Sequence, residues 1–157
     1  MNWTNKPKRL DQVYATYRFP VYFVTVVTAR RRALLDRDVA HRSLIDYARE
    51  NAGNGRVMGR YVLMPDHMHF MVRLSADARL ADYVRLLRQR ITIALRCAGA
   101  VKSDEPVWQP GFFDRLLRTA ERHGAAWDYM LRNPLQAGLA DVPDHWPYQG
   151  EIEAIRF

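Results

Sequence analysis

His67-Met-His-Phe-Met-Val-Arg-Leu74 alternates without a break between two kinds of side chain. Met68, Phe70, Val72 and Leu74 form one row, wholly apolar; His67, His69, Met71 and Arg73 form the other. A period of two marks a β-strand, whose successive side chains point to opposite faces of a sheet. The apolar row faces a core, and the two imidazoles share the opposite face. Their roots lie about 7 Å apart, given a rise of ~3.3 Å per residue. Imidazoles leaning together from that spacing can reach one metal ion. A polar strand face that merely holds two histidines fits the same pattern. A structural zinc site needs four protein ligands, and no others stand nearby. An open site completed by an oxygen ligand, water and phosphate fits better, which favours Mg²⁺ or Mn²⁺.

Working outward, a strand from Arg56 to Met64 precedes this one across a turn at Pro65-Asp66. Upstream, Val21-Tyr-Phe-Val-Thr-Val-Val-Thr28 is rich in β-branched and aromatic residues and reads as a buried strand. The basic loop Arg30, Arg31, Arg32 follows. A helix capped by Asp36 or Asp38 then runs to about Asn51, with Leu44, Ile45 and Ala48 inward, and Gly53-Asn54-Gly55 ends it. Downstream, Leu80, Tyr83, Val84, Leu87, Ile91, Ala94, Leu95 and Ala98 recur at helical spacing, predicting a helix over 79–98. Arg85, Arg88, Thr92 and Arg96 fall on its outward stripe, either a solvated face or a surface for phosphates. A strand from Phe112 to Thr119 and a helix over 120–133, stopping before Pro134, come next. The Pro- and Trp-rich remainder reads as irregular packing.

The order strand, helix, strand, strand, helix, strand, with an extra helix, predicts an α+β fold. It is the split β-α-β sandwich of ferredoxin-like and RRM-like domains, with an antiparallel sheet, helices on one face and the other face open. Residues 1–18 read as a basic arm, 19–148 as one domain and 149–157 as a tail. A chain of 157 residues can bury ~70% of its unfolded surface without a covalent staple. The single Cys97 excludes an internal disulfide framework and suits a reducing, cytoplasmic setting. No apolar run approaches the roughly 18 residues of a membrane span, and MNWTNKPKRL lacks a signal peptide's apolar core. A net charge of +7 suggests a polyanionic partner, although solubility alone also accounts for it. Only three of the 24 basic residues are lysine, Lys6, Lys8 and Lys102. Arginine suits bidentate phosphate contacts, but a GC-rich genome gives the same bias.

On the last predicted helix, at 100° per residue, Trp127, Met130 and Leu131 cluster on one side. Tyr129 and Asn133 fall nearly opposite, with Ala125 and Ala126 beside them. An i, i+4 pair presents both side chains to the same point, so Asn133 can offer an amide oxygen to a metal that Tyr129 also approaches. An ordinary surface tyrosine fits this position too.

Three blocks then stand together: Tyr61-Val-Leu-Met-Pro-Asp-His-Met-His-Phe70, Val107-Trp-Gln-Pro-Gly-Phe-Phe-Asp-Arg115 and Tyr129-Met-Leu-Arg-Asn-Pro-Leu-Gln-Ala-Gly-Leu139. They resemble the signatures of the REP-associated tyrosine transposases, relatives of the single-tyrosine HUH transposases of small insertion sequences. The resemblance runs from about Phe19 to Tyr148. It implies that His67 and His69 bind a divalent metal, with Met68 as the bulky residue between them. It implies Tyr129 as nucleophile and Asn133 as third ligand, where insertion-sequence members generally carry Gln. Asn followed by Pro134 points to the REP-associated branch. After Trp146-Pro147 the family pattern has serines, and here Tyr148-Gln149-Gly150 stand instead.

The implied reaction is cleavage and rejoining of single-stranded DNA at hairpin-forming repetitive palindromes through a 5′-phosphotyrosine. The implied protein is a nucleoid-associated monomer or homodimer without membrane contact. Candidates for gripping the strand are Lys6, Lys8 and Arg9 of the arm, Arg30, Arg31 and Arg32, and Arg85 with Arg88. Two other readings remain at this point. One is a non-catalytic RRM-like nucleic-acid-binding module, whose stacking aromatics would occupy the central strands where His67 and His69 stand. The other is a small metal-dependent phosphodiesterase that uses water, with Tyr129 purely structural.

Overall fold

The computed structural model describes residues 19–156. Their order is β1 (Val21–Val27), α1 (Asp38–Ala52), β2 (Arg56–Leu63), β3 (His67–Leu74), α2 (Leu80–Cys97), β4 (Phe113–Leu117), α3 (Ala120–Gln136) and β5 (Gln149–Glu151). The sheet runs β4-β1-β3-β2-β5, and every neighbouring pair is antiparallel. This is the expected α+β sandwich with its split β-α-β connections. β1 and β3 lie at the centre, with Thr25 directly opposite His69 and Val27 opposite His67.

The strand alternation read from sequence holds on both faces. Met68, Phe70, Val72 and Leu74 all enter the core beneath α1 and α2, against Leu44, Leu87 and Ile91. Tyr47 of α1 ties the two helices together by donating its hydroxyl proton to the Tyr83 carbonyl at 2.9 Å. The opposite face differs from the open sheet that was expected. Helix α3 and the C-terminal segment cover part of it, and a second core forms from Val21, Phe23, Met71, Ala126, Met130 and Trp146. Met71 sits in the histidine row of β3, so the same row carries the polar site and an anchor for the covering helix.

Three local expectations change. Helix α3 continues through Pro134 to Gln136. Proline removes one i→i−4 bond, but Pro134 is buried on the same stripe as Ala126 and Met130. The Ala137 N–H donates to the Asn133 carbonyl at 3.1 Å, so the ladder resumes at once. Beyond it, where irregular packing was expected, β5 pairs with β2 through Tyr61 opposite Gly150. Trp146 anchors this return, donating its indole N–H to the Leu63 carbonyl at 2.9 Å. On α2 the outward stripe is only partly exposed. Arg88 donates to the Gly111 carbonyl, and Thr92 accepts from the Trp108 indole at 2.9 Å. The motif around Trp108 therefore packs over that stripe, and burial lowers the Arg88 pKa to about 10. Among the described residues, no helix is long and apolar enough to cross a membrane.

Leu87 is completely buried at the centre of the α1–α2 core. Leu87→Ala should cost about 2–5 kcal/mol, because the packed surroundings cannot close the void. In urea titration the midpoint should fall while the slope stays unchanged.

Candidate active site

Strand β3 sets His67 and His69 side by side, with ring centroids 4.9 Å apart. Each ring is gripped from behind. His67 Nδ1 lies 2.7 Å from Asp66 Oδ1, and the second carboxylate oxygen of Asp66 accepts from Arg31 at 3.1 Å. Burial alone would raise the Asp66 pKa, but the hydrogen bonds from His67 and Arg31 outweigh it and hold Asp66 below the usual carboxylate value. His69 Nδ1 lies 2.8 Å from Thr25 Oγ1, its partner across the sheet. Phe23 stacks on the His69 ring at 5.2 Å.

The turn that delivers Arg31 is itself constrained. Arg30 and Arg31 both adopt positive φ, 55° and 51°, a region that L-residues other than glycine occupy at a cost. Thr28, fully buried, holds the turn by donating its hydroxyl proton toward the carbonyls of Arg32 (2.8 Å) and Asp66 (3.0 Å).

Helix α3 completes the constellation within the same chain. Its buried stripe is Ala126, Met130 and Pro134, which places Tyr129 and Asn133 on one flank of that stripe and Trp127 on the other. Tyr129 therefore does not point away from the sheet, as the helical phase suggested. It borders the docked face, 46% exposed, with its ring edge-on to His69 at 5.4 Å. The Asn133 amide nitrogen donates to the Tyr129 carbonyl at 2.8 Å. That bond turns Asn133 Oδ1 toward His67, 3.4 Å from Nε2.

These contacts create a donor set. With Nδ1 of His67 engaged by Asp66, its Nε2 atom faces Asn133 Oδ1. Among the described residues, buried His69 Nε2 has no hydrogen-bond partner. Burial first, and then the neighbouring His67, push the His69 pKa down to about 3, against a smaller opposing effect of Asn133. Its ring is therefore neutral over the physiological range. The Nε2 atoms of His67 and His69 and the Oδ1 atom of Asn133 are donor atoms that one cation could engage together. The 3.4 Å separation is also close to the ~3 Å between adjacent donors of a small octahedral ion. Two imidazoles and one amide oxygen thus fit a divalent metal with further positions open.

The remaining candidates disperse. Arg31 and Arg32 are engaged in ion pairs with Asp66 (3.1 Å) and Glu105 (2.8 Å). Arg85 is exposed beside Asp82, Arg30 is exposed, and Arg88 is the half-buried residue already described. Lys6, Lys8 and Arg9 lie outside the described residues. Sequence reasoning overlooked Asp66 and Thr25 as supports for the imidazoles. The signals that could find them are the position of Asp66 directly before His67 and the break that Thr25 makes in the apolar run of β1.

The family model described as "Transposase IS200 like" matches residues 16–123. The chain belongs to the IS200-like transposase family. The matched stretch includes β1 to β4 and ends in the first turn of α3, ahead of Tyr129 and Asn133. A putative REP-associated tyrosine transposase of Haemophilus influenzae is 28% identical over 94 residues, covering 55% of this chain and 53% of that protein. A REP-associated tyrosine transposase of Escherichia coli is 25% identical over 89 residues, covering 56% and 50%. The chain thus matches about half the length of these curated relatives. A solved REP-associated tyrosine transposase bound to a REP hairpin shares the fold. Its TM-score is 0.67 at 24% identity, over 83% of this chain and 75% of that one. A putative transposase from Deinococcus radiodurans has a TM-score of 0.53 at 20% identity, over 74% and 92%.

The depressed His69 pKa fixes a sign for stability against pH. Below pH 6.5 an unfolded histidine takes up a proton that folded His69 refuses until about pH 3. Stability is therefore highest above 6.5 and falls as pH drops through that window, by about 2 kcal/mol at pH 5. Urea denaturation in the presence of chelator should show this slope for the unsubstituted protein. His69→Gln should flatten it.

Proposed function

We propose that this protein cleaves and rejoins single-stranded DNA at hairpin-forming repetitive palindromes, with Tyr129 as nucleophile and His67, His69 and Asn133 as metal ligands. The observation that carries the reading is the docking of α3, which sets Tyr129 beside His69 and Asn133 beside His67. The family membership and the REP-associated relatives support the substrate class. Acting on chromosomal palindromes would make the protein nucleoid-associated.

A bound Mg²⁺ or Mn²⁺ would polarise the scissile phosphate and offset charge in the transition state. The chain's own residues do the rest. Asp66 and Thr25 fix the two imidazoles by their Nδ1 atoms, so both Nε2 atoms face the same point. Phe23 and His69 hold the tyrosine ring against the sheet while its partial exposure leaves the hydroxyl reachable by a strand. The hydroxyl oxygen of Tyr129, reachable by solvent, attacks phosphorus and gives up its proton to water as the P–O3′ bond breaks. The departing oxygen takes a proton and becomes a free 3′-OH, while the 5′-phosphate stays on the tyrosine. Because the new bond is also a phosphodiester, the 3′-OH of another strand can reverse the step without ATP.

Among the basic candidates, Arg30 and Arg85 are exposed and suited to phosphate contacts, and Lys6, Lys8 and Arg9 remain candidates on the arm. Arg31 acts first through Asp66, and Arg32 and Arg88 brace the loop and the Trp108 motif.

Labelled hairpin DNA incubated with the protein and Mn²⁺ should give an adduct that survives a denaturing gel. Tyr129→Phe and His67→Ala should each abolish it. Cleavage persisting in Tyr129→Phe would mean a water-using phosphodiesterase, and binding without cleavage a non-catalytic module. If one chain holds the whole site, mixing those two inactive variants should restore no adduct. Asp66→Asn should weaken Mn²⁺ binding about 10- to 100-fold by calorimetry, because His67 loses the carboxylate that orients it.

A further inference from the structure

A cleft of about 510 Å³ opens on the far side of Tyr129 from Asn133, between β1, the edge strand β4 and α3. Its walls include Phe23, His69, Phe113, Arg115 and Tyr129. Strand register explains how they meet. Arg115 lies opposite Phe23 and Phe113 opposite Thr25, so alternate residues of β4 project to the same face as the site. Leu117, the next in that row, is buried in the second core. Ala125, one turn before Tyr129, keeps the helix side of the cleft shallow.

We propose that this cleft binds the nucleoside on the 3′ side of the scissile phosphate, the one whose 5′-phosphate Tyr129 captures. The inference rests on Tyr129 being the nucleophile. In the covalent product that nucleoside is joined to the tyrosine oxygen through a single phosphorus, so it must occupy space bordering Tyr129. On one side of the ring stand His67 and Asn133, two of the three proposed metal ligands, while the third, His69, borders both the metal position and the cleft. The cleft lies on the other side.

Its chemistry suits a nucleobase. Phe113 offers an aromatic surface at the half-exposed edge, and the floor is the Phe23 ring. The Arg115 guanidinium lies 5.4 Å above that ring, an exposed cation that can cover a stacked base or meet the next phosphate along the strand. Stacking of this kind tolerates any base, because every base has a π-face. The volume falls within the range of pockets that enclose small organic ligands. Phe113 is thus a substrate-positioning residue, and its effect should fall on KM more than on kcat.

The test uses hairpin strands whose cleavage position has been mapped from the adduct of the unsubstituted protein. One strand is intact and one carries an abasic site immediately 3′ of the cut. Removing the base should slow adduct formation by the unsubstituted protein roughly 5- to 100-fold at subsaturating DNA. Phe113→Ala should lose a similar factor on the intact strand and almost nothing more on the abasic one. Phe113→Trp should keep the sensitivity, and Mn²⁺ binding should confirm that each variant retains its site. The proposal is overturned if the abasic site costs the unsubstituted protein nothing. It is equally overturned if the abasic site costs Phe113→Ala the same factor. An unsubstituted protein that forms no adduct on any hairpin strand would remove Tyr129 as nucleophile, and this inference with it.

Discussion

Strand β3 has a different neighbour on each face, and the rest of the structure depends on that asymmetry. One row, Met68, Phe70, Val72 and Leu74, is buried under α1 and α2 and supplies the main core. Full burial of such side chains is worth roughly 1.5–3 kcal/mol each, so a slip of one residue in register is strongly excluded. With register held, His67 and His69 have no choice of face. Met71, in the same row, then gives α3 an apolar anchor, and the tyrosine helix docks where the imidazoles already are. Core packing thus acts as the positioning device for a polar site.

The site is built from acceptors whose other ends are already committed. Asp66 engages His67 Nδ1, Thr25 engages His69 Nδ1, and the Tyr129 carbonyl engages the Asn133 amide nitrogen. What remains on the inner side of each group is the Nε2 atom of an imidazole or the Oδ1 atom of the amide, and His67 Nε2 faces Asn133 Oδ1 at 3.4 Å. Donor atoms held in this way are oriented before any cation arrives. The Arg31–Asp66 pair extends this logic outward, because the turn that brings the guanidinium to Asp66 holds Arg30 and Arg31 at positive φ. A loop that reads as a basic DNA-contacting segment is therefore partly structural. Arg88 tells a similar story on α2, where the Trp108 motif converts a surface arginine into a brace between helix and loop.

The strand alternation of β3, the helical period of α2 and the order of elements were all legible from residues alone. Each depends on burial of a repeating apolar row, and that pattern is local. The histidine pair and the Tyr129–Asn133 spacing were legible for the same reason. The residues that orient the imidazoles were harder to read. Thr25 is 44 residues from His69 in sequence, and only the pairing of β1 with β3 joins them. The continuation of α3 through Pro134 was also hidden, because a local rule against proline was outweighed by burial against the sheet.

By itself, then, the sequence determined the α+β sandwich, the two faces of β3 and the four residues, His67, His69, Tyr129 and Asn133, that the candidate site brings together. Those properties follow from side-chain chemistry and from periods of two and 3.6 residues. Only the tertiary structure decided that the second sheet face is covered, that Tyr129 flanks the docked stripe instead of facing away, and that its helix meets the histidine strand in the same chain. Those outcomes turn on which apolar surfaces find each other across long sequence separations. Ala126, Met130 and Trp146 settle against Val21 and Met71, and no local pattern specifies that choice.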